Sequence, residues 1–127
     1  MDVAIATLLC AGLASPTSMG LGGGFLMTIV HDGVPYVLDA RETAPAAASE
    51  DMFHGNSTQA QMGPLSFAVP GEIIGYWEAH QKFGKLPWEH IISKAADLNE
   101  QGVELTPYVA RSLKRNEDVI LASPSLK

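Results

Sequence analysis

The segment GLGGGFLMTIVHDGVPYVLDA, residues 20–40, decides the fold class, because it places a glycine-rich bend before two runs of β-forming residues. Phe25 to His31 and Tyr36 to Ala40 are rich in β-branched and aromatic residues, and Asp32-Gly33 between them is a typical hairpin turn. The sequence therefore predicts a β-hairpin. Its first strand is almost continuously apolar, which is typical of a strand covered on both faces.

Helical patterns lie on both sides of this hairpin. Before it, an apolar helix is predicted from Asp2, acting as its N-cap, to about Ala11, with Gly12 and Pro16 ending it. After it, apolar residues recur with helical spacing over residues 72–83 and 87–101. The predicted buried faces are Ile73, Ile74, Trp77, His80 and Phe83 in the first of these, and Trp88, Ile91, Ile92, Ala95 and Leu98 in the second.

The last predicted helix begins at Thr106, an N-cap that is followed by Pro107 at the first helical position, and runs through Leu113 towards Ile120. Residues 42–69 are rich in Pro, Gly, Ser and Ala and are predicted to be surface loop. The inventory is thus α+β, with four helices but only one hairpin. Because a lone hairpin is marginal in water, we expect residues 1–127 to be a single partial domain of a larger protein.

Charge and composition exclude several classes of function. The net charge is −6 and no basic cluster is present, so that nucleic acid is not expected as a partner. The single cysteine, Cys10, has no partner for a disulfide within the chain. The apolar run from Val3 to Ala14 is shorter than the roughly 20 residues that cross a bilayer. A signal peptide usually carries positive charge before its apolar run, whereas this chain has Asp2 there, which argues against that interpretation.

The glycine-rich segment does not have the arrangement of a phosphate-binding loop. Such loops follow a strand and precede a helix, so that the helix N-terminus faces the anion. Here a helix comes first and a strand follows, which places the loop at a helix C-terminus, where the dipole repels anions. We expect Gly20, Gly22, Gly23 and Gly24 to bend the chain or to allow close backbone approach.

Four stretches taken together resemble one family: VAIATLLCAGLASPTSMGLGGGFLMTIV, LDARETAPAAA, DMF and LSFAVPGEIIGYWEAHQKFGKLPW. They look like the N-terminal region of the large subunit of γ-glutamyltranspeptidases, also called glutathione hydrolases. The likeness runs from about Val3 to at least Val103 in the family's order. DARETAP together with VPGEIIGYWEAHQKFGKLPW is its most specific part.

This resemblance implies the fold of N-terminal-nucleophile hydrolases, an αββα sandwich of which this chain would supply helices and the hairpin. It implies a self-cleaving precursor whose small subunit carries a threonine nucleophile, without any cofactor. The donors would be glutathione and other γ-glutamyl compounds, and water, amino acids or peptides would be the acceptors. None of the threonines of this chain lies in the family's nucleophile pattern, so residues 1–127 alone are expected to be inactive. The alternative is an inert truncated remnant or a non-enzymatic binding paralogue.

By the same resemblance, Arg41 binds the α-carboxylate of the γ-glutamyl group. A guanidinium suits this role, because its parallel N–H donors match the two oxygens of a carboxylate. Without the resemblance, pairing of Arg41 with Asp39 or Glu42 is the alternative interpretation. No catalytic residue is assigned to this chain.

The remaining polar residues receive simpler interpretations. Asn56-Ser57-Thr58 is an N-glycosylation sequon in a predicted loop. The histidines lack metal-ligand spacing, so no metal site is expected, and Glu42, Glu72 and Glu78 are expected to be solvated or to cap helices. The resemblance implies the extracellular face of the plasma membrane in an animal source, and a periplasmic or secreted location in a bacterial one.

Overall fold

The computed structural model describes residues 1–125. In chain order the elements are α1 (Asp2–Ala14), β1 (Phe25–His31), β2 (Val34–Ala40), a 3₁₀ turn (Pro64–Ser66), α2 (Glu72–Phe83), α3 (Trp88–Gln101), α4 (Pro107–Arg115) and α5 (Glu117–Ala122). They form two compact units, one from Leu21–Glu78 and the other from Met1–Gly20 with the chain from Ala79 onwards. α2 begins in the first of these units and ends in the second.

The hairpin confirms the prediction from its turn residues. Among residues 1–125, β1 and β2 form a two-stranded antiparallel sheet, with Phe25 opposite Ala40 and His31 opposite Val34. Asp32 and Gly33 both have positive φ angles, 50° and 79°, as the tight turn of a two-residue hairpin requires. β2 begins two residues earlier than predicted, at Val34.

Only one face of the hairpin is covered within the described residues. Along β1, Phe25, Met27 and Ile29 are half-buried and alternate with exposed residues, which include Leu26 and Val30. The predicted covering of β1 on both faces concerns the larger protein and stays a prediction; within residues 1–125, α2 contacts the hairpin at Phe25 and Ala40. The aromatic rings of Phe25 and Tyr76 stack there at 4.8 Å.

The buried face of α2 also differs from the predicted one. The predicted face included Ile73, Ile74 and Trp77, but these side chains are 38%, 68% and 41% exposed. His80 is buried and Phe83 half-buried, as predicted, but the other buried residues are Glu72, Gly75, Tyr76 and Ala79. Gly75 explains the rotation: a Cβ there would clash with the side chains of Ala40 and Phe25, so the missing side chain lets the helix approach the hairpin closely.

The other unit packs α1 against α3. Ile5 and Leu9 of α1 and Ile91 of α3 are buried, and the predicted face of α3 is confirmed, since its other members are half-buried. α1 continues through Gly12 to Ala14, beyond the predicted end.

Asp2 is the first residue of α1 and not its N-cap, so that prediction is wrong; Met1 holds the N-cap position. The Asp2 carboxylate instead accepts hydrogen bonds from the backbone N–H groups of Lys85 and Leu86, at 3.0–3.1 Å. His80 Nε2 lies 3.8 Å from the same carboxylate. Burial acts to raise the pKa of the Asp2 carboxyl, but the Leu86 and Lys85 amides and nearby positive charge outweigh it, and the pKa lies below its ordinary value.

The last predicted helix is divided into two. Thr106 is confirmed as an N-cap, because its hydroxyl accepts a hydrogen bond from the amide of Val109. α4 then ends at Arg115, and α5 begins at Glu117. The side-chain amide of Asn116 donates to the carbonyl of Ser112 at 2.8 Å. This local hydrogen bond offers the backbone an alternative to a continuous helix.

Candidate functional site

Arg41 lies directly after β2, at the wall of an open cavity of about 760 Å³. Arg41 and Glu42 form one part of this wall, Gly22 another, and Ser66–Ala68 with Pro70 the rest. All of these residues belong to the unit that contains the hairpin. The strand therefore delivers the arginine to the edge of a concave surface, which is where a rigid sheet commonly presents a ligand contact.

The guanidinium of Arg41 is paired and yet accessible. Its Nη1 lies 3.3 Å from Glu42 Oε2, and the arginine side chain remains 66% exposed, whereas that of Glu42 is 24% exposed. Glu42 Oε2 is itself buried and has no hydrogen-bond partner among residues 1–125 beyond this ion pair. Asp39 does not bind the guanidinium; its carboxylate accepts from the backbone N–H of Arg41 at 3.0 Å.

The ion pair does not consume the binding capacity of Arg41. A guanidinium has five N–H donors, and the ion pair with Glu42 is formed through Nη1. The arginine side of this pair is 66% exposed, whereas the Glu42 oxygen is buried, so the guanidinium compensates a buried carboxylate while most of its own surface stays accessible. The alternative interpretation of the sequence, pairing with Glu42, thus coexists with an open cavity beside the same side chain.

The backbone on each side of Arg41 is tied to neighbouring segments. Thr43 and Val69 exchange two backbone hydrogen bonds, of 3.2 and 2.9 Å, which hold the loop Ser66–Pro70 beside the arginine. The carbonyl of Gly23 accepts from the amides of Gly71 and Glu72, at 2.9 and 3.0 Å. Sequence reasoning missed the wall formed by residues 66–70, because nothing local in that stretch indicates its pairing with Thr43.

A buried polar pair lies at the start of α2. The Tyr76 hydroxyl donates to Glu72 Oε1 at 2.9 Å, and the two residues are 1% and 3% exposed. Burial, the hydrogen bond and the negative charge of Glu72 together raise the pKa of the Tyr76 phenol. Of the two roles expected for Glu72, the solvated one is wrong, because the residue is only 3% exposed; it does lie in the first turn of α2.

The glycosylation sequon lies in an exposed segment. Asn56, Ser57 and Thr58 are all exposed, and the side-chain oxygen of Asn56 accepts from the backbone amide of Thr58 at 3.1 Å. Within residues 1–125, no group of three His, Cys, Asp or Glu side chains could hold a metal ion. The helices of this part of the chain are all too short, or too polar, to cross a membrane.

Comparisons with known proteins place this geometry in a family. The family model described as Gamma-glutamyltranspeptidase matches residues 1–127. The chain belongs to the γ-glutamyltranspeptidase family. Among its relatives, Scoloptoxin SSD14 of Scolopendra dehaani is 45% identical over 100% of this chain and 22% of its own length. Glutathione hydrolase proenzyme 1 of Schizosaccharomyces pombe is 45% identical over 92% of this chain and 19% of its own.

Solved structures of γ-glutamyltranspeptidases share the fold. The Helicobacter pylori enzyme matches with a TM-score of 0.90 and 28% identity, over 99% of this chain and 38% of that one. The enzyme from Pseudomonas nitroreducens, complexed with L-DON, matches with a TM-score of 0.81 and 33% identity, over 95% and 37%. The predicted α+β fragment of an N-terminal-nucleophile hydrolase is confirmed. The chain spans about a fifth of the length of the first two relatives.

Proposed function

We propose that this chain is the N-terminal part of the large subunit of a γ-glutamyltransferase or glutathione hydrolase, and a single partial domain of it. Arg41 binds the α-carboxylate of the γ-glutamyl donor. The observation that carries this proposal is the guanidinium at the wall of the open cavity, two-thirds exposed and held on a backbone that is fixed on both sides. Family relatives named glutathione hydrolase support the reaction class.

The proposed division of labour assigns binding to this segment and bond-breaking to residues outside it. A threonine of the small subunit attacks the γ-glutamyl amide, with its own α-amino group as the local base. The γ-glutamyl-enzyme that forms is then resolved by water or by an amino acid or peptide acceptor. By holding the far end of the donor, Arg41 presents the amide carbon in one orientation. Residues 1–127 expressed alone are accordingly inactive.

Arg41→Ala in the full-length protein tests the assignment. A charge-assisted contact of this kind is worth about 2–3 kcal/mol, so KM for a γ-glutamyl donor should rise about 30- to 150-fold, with a smaller change in kcat. For Arg41→Lys, KM should lie between those of the wild type and Arg41→Ala, because an ammonium keeps the charge but lacks the paired N–H donors of a guanidinium. Arg111→Ala, which changes an exposed arginine of α4, is the matched control. An unchanged KM in Arg41→Ala would dismiss the role.

The second candidate is an inert truncated remnant or a non-enzymatic paralogue that at most binds γ-glutamyl ligands. The nucleotide sequence downstream of Lys127 separates the two: an open frame that reaches a threonine nucleophile supports the enzyme, and an early stop codon supports the remnant. For the enzyme, we propose the extracellular face of the plasma membrane if the source is an animal. A bacterial source would place it in the periplasm or outside the cell.

A further inference from the structure

Two glycines from separate segments contact the peptide that leads into Arg41. Gly24 precedes β1 and Gly71 precedes α2, and both approach the carbonyl oxygen of Ala40. A Cβ built on Gly71 would clash with this oxygen and would lie 2.9 Å from both Ala40 C and Arg41 O. A Cβ on Gly24 would clash with the same oxygen and lie 3.0 Å from Glu42 N.

Such contacts leave no room for a side chain at either position. The atoms that a Cβ would meet are backbone atoms, which cannot rotate away as the end of a side chain can. Gly71→Ala or Gly24→Ala would therefore displace the Ala40–Arg41 peptide itself. Neither glycine is explained by its own conformation, since the φ angles of both lie outside the left-handed region.

The surrounding hydrogen bonds restrict how this displacement could be absorbed. Gly71 is fixed by the donation of its amide to Gly23, and the chain after Glu42 is fixed by the exchange of hydrogen bonds between Thr43 and Val69. β2 fixes the chain before Arg41. A displacement of the Ala40–Arg41 peptide would therefore move and reorient the side chain of Arg41.

We propose that Gly24 and Gly71 are positioning residues for Arg41, which set where its guanidinium meets the donor's α-carboxylate. This inference rests on the proposed function and extends it to residues that touch no substrate. Because a misplacement of about 1 Å can cost on the order of a hundredfold in enzymatic rate, the two glycines would select for donors that carry an α-carboxylate.

The test uses the full-length protein and two substrates, a γ-glutamyl anilide and its analogue that lacks the α-carboxylate. Gly71→Ala should lower kcat/KM for the γ-glutamyl anilide about 10- to 100-fold, and should leave kcat/KM for the analogue nearly unchanged. In an Arg41→Ala background, Gly71→Ala should lower kcat/KM for the γ-glutamyl anilide by less than about twofold, because the guanidinium that it would displace has already been removed. Gly24→Ala, whose Cβ meets the same carbonyl, should behave alike.

Gly84→Ala is the matched control for a steric clash without displacement of Arg41. Its Cβ would meet the side chain and carbonyl of His80, so it should lower the thermal midpoint and leave the ratio of kcat/KM for the two substrates unchanged. If neither Gly71→Ala nor Gly24→Ala folds, the inference is overturned, because it requires that Arg41 is displaced in a protein that is otherwise folded.

Two kinetic results also overturn the inference while leaving the proposed function intact. One is an equal loss of kcat/KM for both substrates in Gly71→Ala, and the other is a full additional loss in the Arg41→Ala background. A wild-type protein that neither hydrolyses nor transfers the γ-glutamyl group refutes the proposed function itself, and the inference falls with it.

Discussion

Tyr76→Phe should destabilise the protein through a single buried hydrogen bond. The phenol donates to Glu72 Oε1 at 2.9 Å in a region where both residues are at most 3% exposed. A hydrogen bond to a charged acceptor contributes about 1.5–3 kcal/mol, and the substitution keeps the ring that stacks on Phe25. We therefore expect the free energy of unfolding at pH 7 to fall by about 1.5–3 kcal/mol.

The dependence on pH gives this prediction a second readout. The pKa of Tyr76 is raised in the folded state, so its contribution to stability is complete below the unfolded pKa, near 10, and is lost as the pH rises towards the folded pKa. In that window the wild type should lose about 1.4 kcal/mol per pH unit through this group. Tyr76→Phe should lack this component of the slope.

Urea denaturation of the full-length protein at pH 7, 10 and 11 measures both effects. Tyr108→Phe is the control, because Tyr108 is 60% exposed and its substitution should change stability by no more than about 0.5 kcal/mol. If Tyr76→Phe matches that control at pH 7 and keeps the wild-type slope above pH 10, the assigned hydrogen bond does not stabilise the fold.

Two further predictions concern other parts of the chain. Because the pKa of Asp2 is lowered in the folded state, its carboxylate stabilises the fold above the unfolded pKa and loses this effect as the pH falls through the folded pKa. Asp2→Asn should therefore be less stable than the wild type at pH 7, and its stability should depend less on acid. Thermal denaturation between pH 2 and 7 measures both effects. Asn56→Gln should remove one glycan from protein made in animal cells, seen as a smaller mass by mass spectrometry; an unchanged mass would mean that the exposed sequon is not used.

The parts of the fold that local chemistry determines were predictable from the sequence. The Asp32-Gly33 turn and the Thr106 cap each depend on a few consecutive residues, and both are present. The face of α2 was not predictable in this way, because hydrophobicity favours Ile73 and Trp77 whereas close approach to the hairpin requires the face with Gly75. A missing side chain carries no hydrophobic signal.

The same limit applies to the candidate site. Arg41 could be singled out only through the family resemblance, because the sequence around an arginine next to Asp39 and Glu42 predicts an ion pair. Its cavity depends on residues 66–70, which lie more than twenty positions further along the chain. Asp2 is a similar case, because its hydrogen-bond donors, Lys85 and Leu86, are 83 and 84 residues away. Contacts over such separations leave no pattern in a single sequence.

The hydrogen bonds of the glycine-rich segment differ from those of a phosphate-binding loop. A phosphate-binding loop offers backbone N–H groups to an anion at a helix N-terminus. Here the segment offers a carbonyl instead: Gly23 accepts from the amides of Gly71 and Glu72, which are the donors that an anion at the start of α2 would need. Those donors are used within the protein, and Gly24 beside them contacts the peptide before Arg41. In the proposed function, negative charge is therefore bound by the Arg41 guanidinium, and the glycines pack against the backbone that carries it.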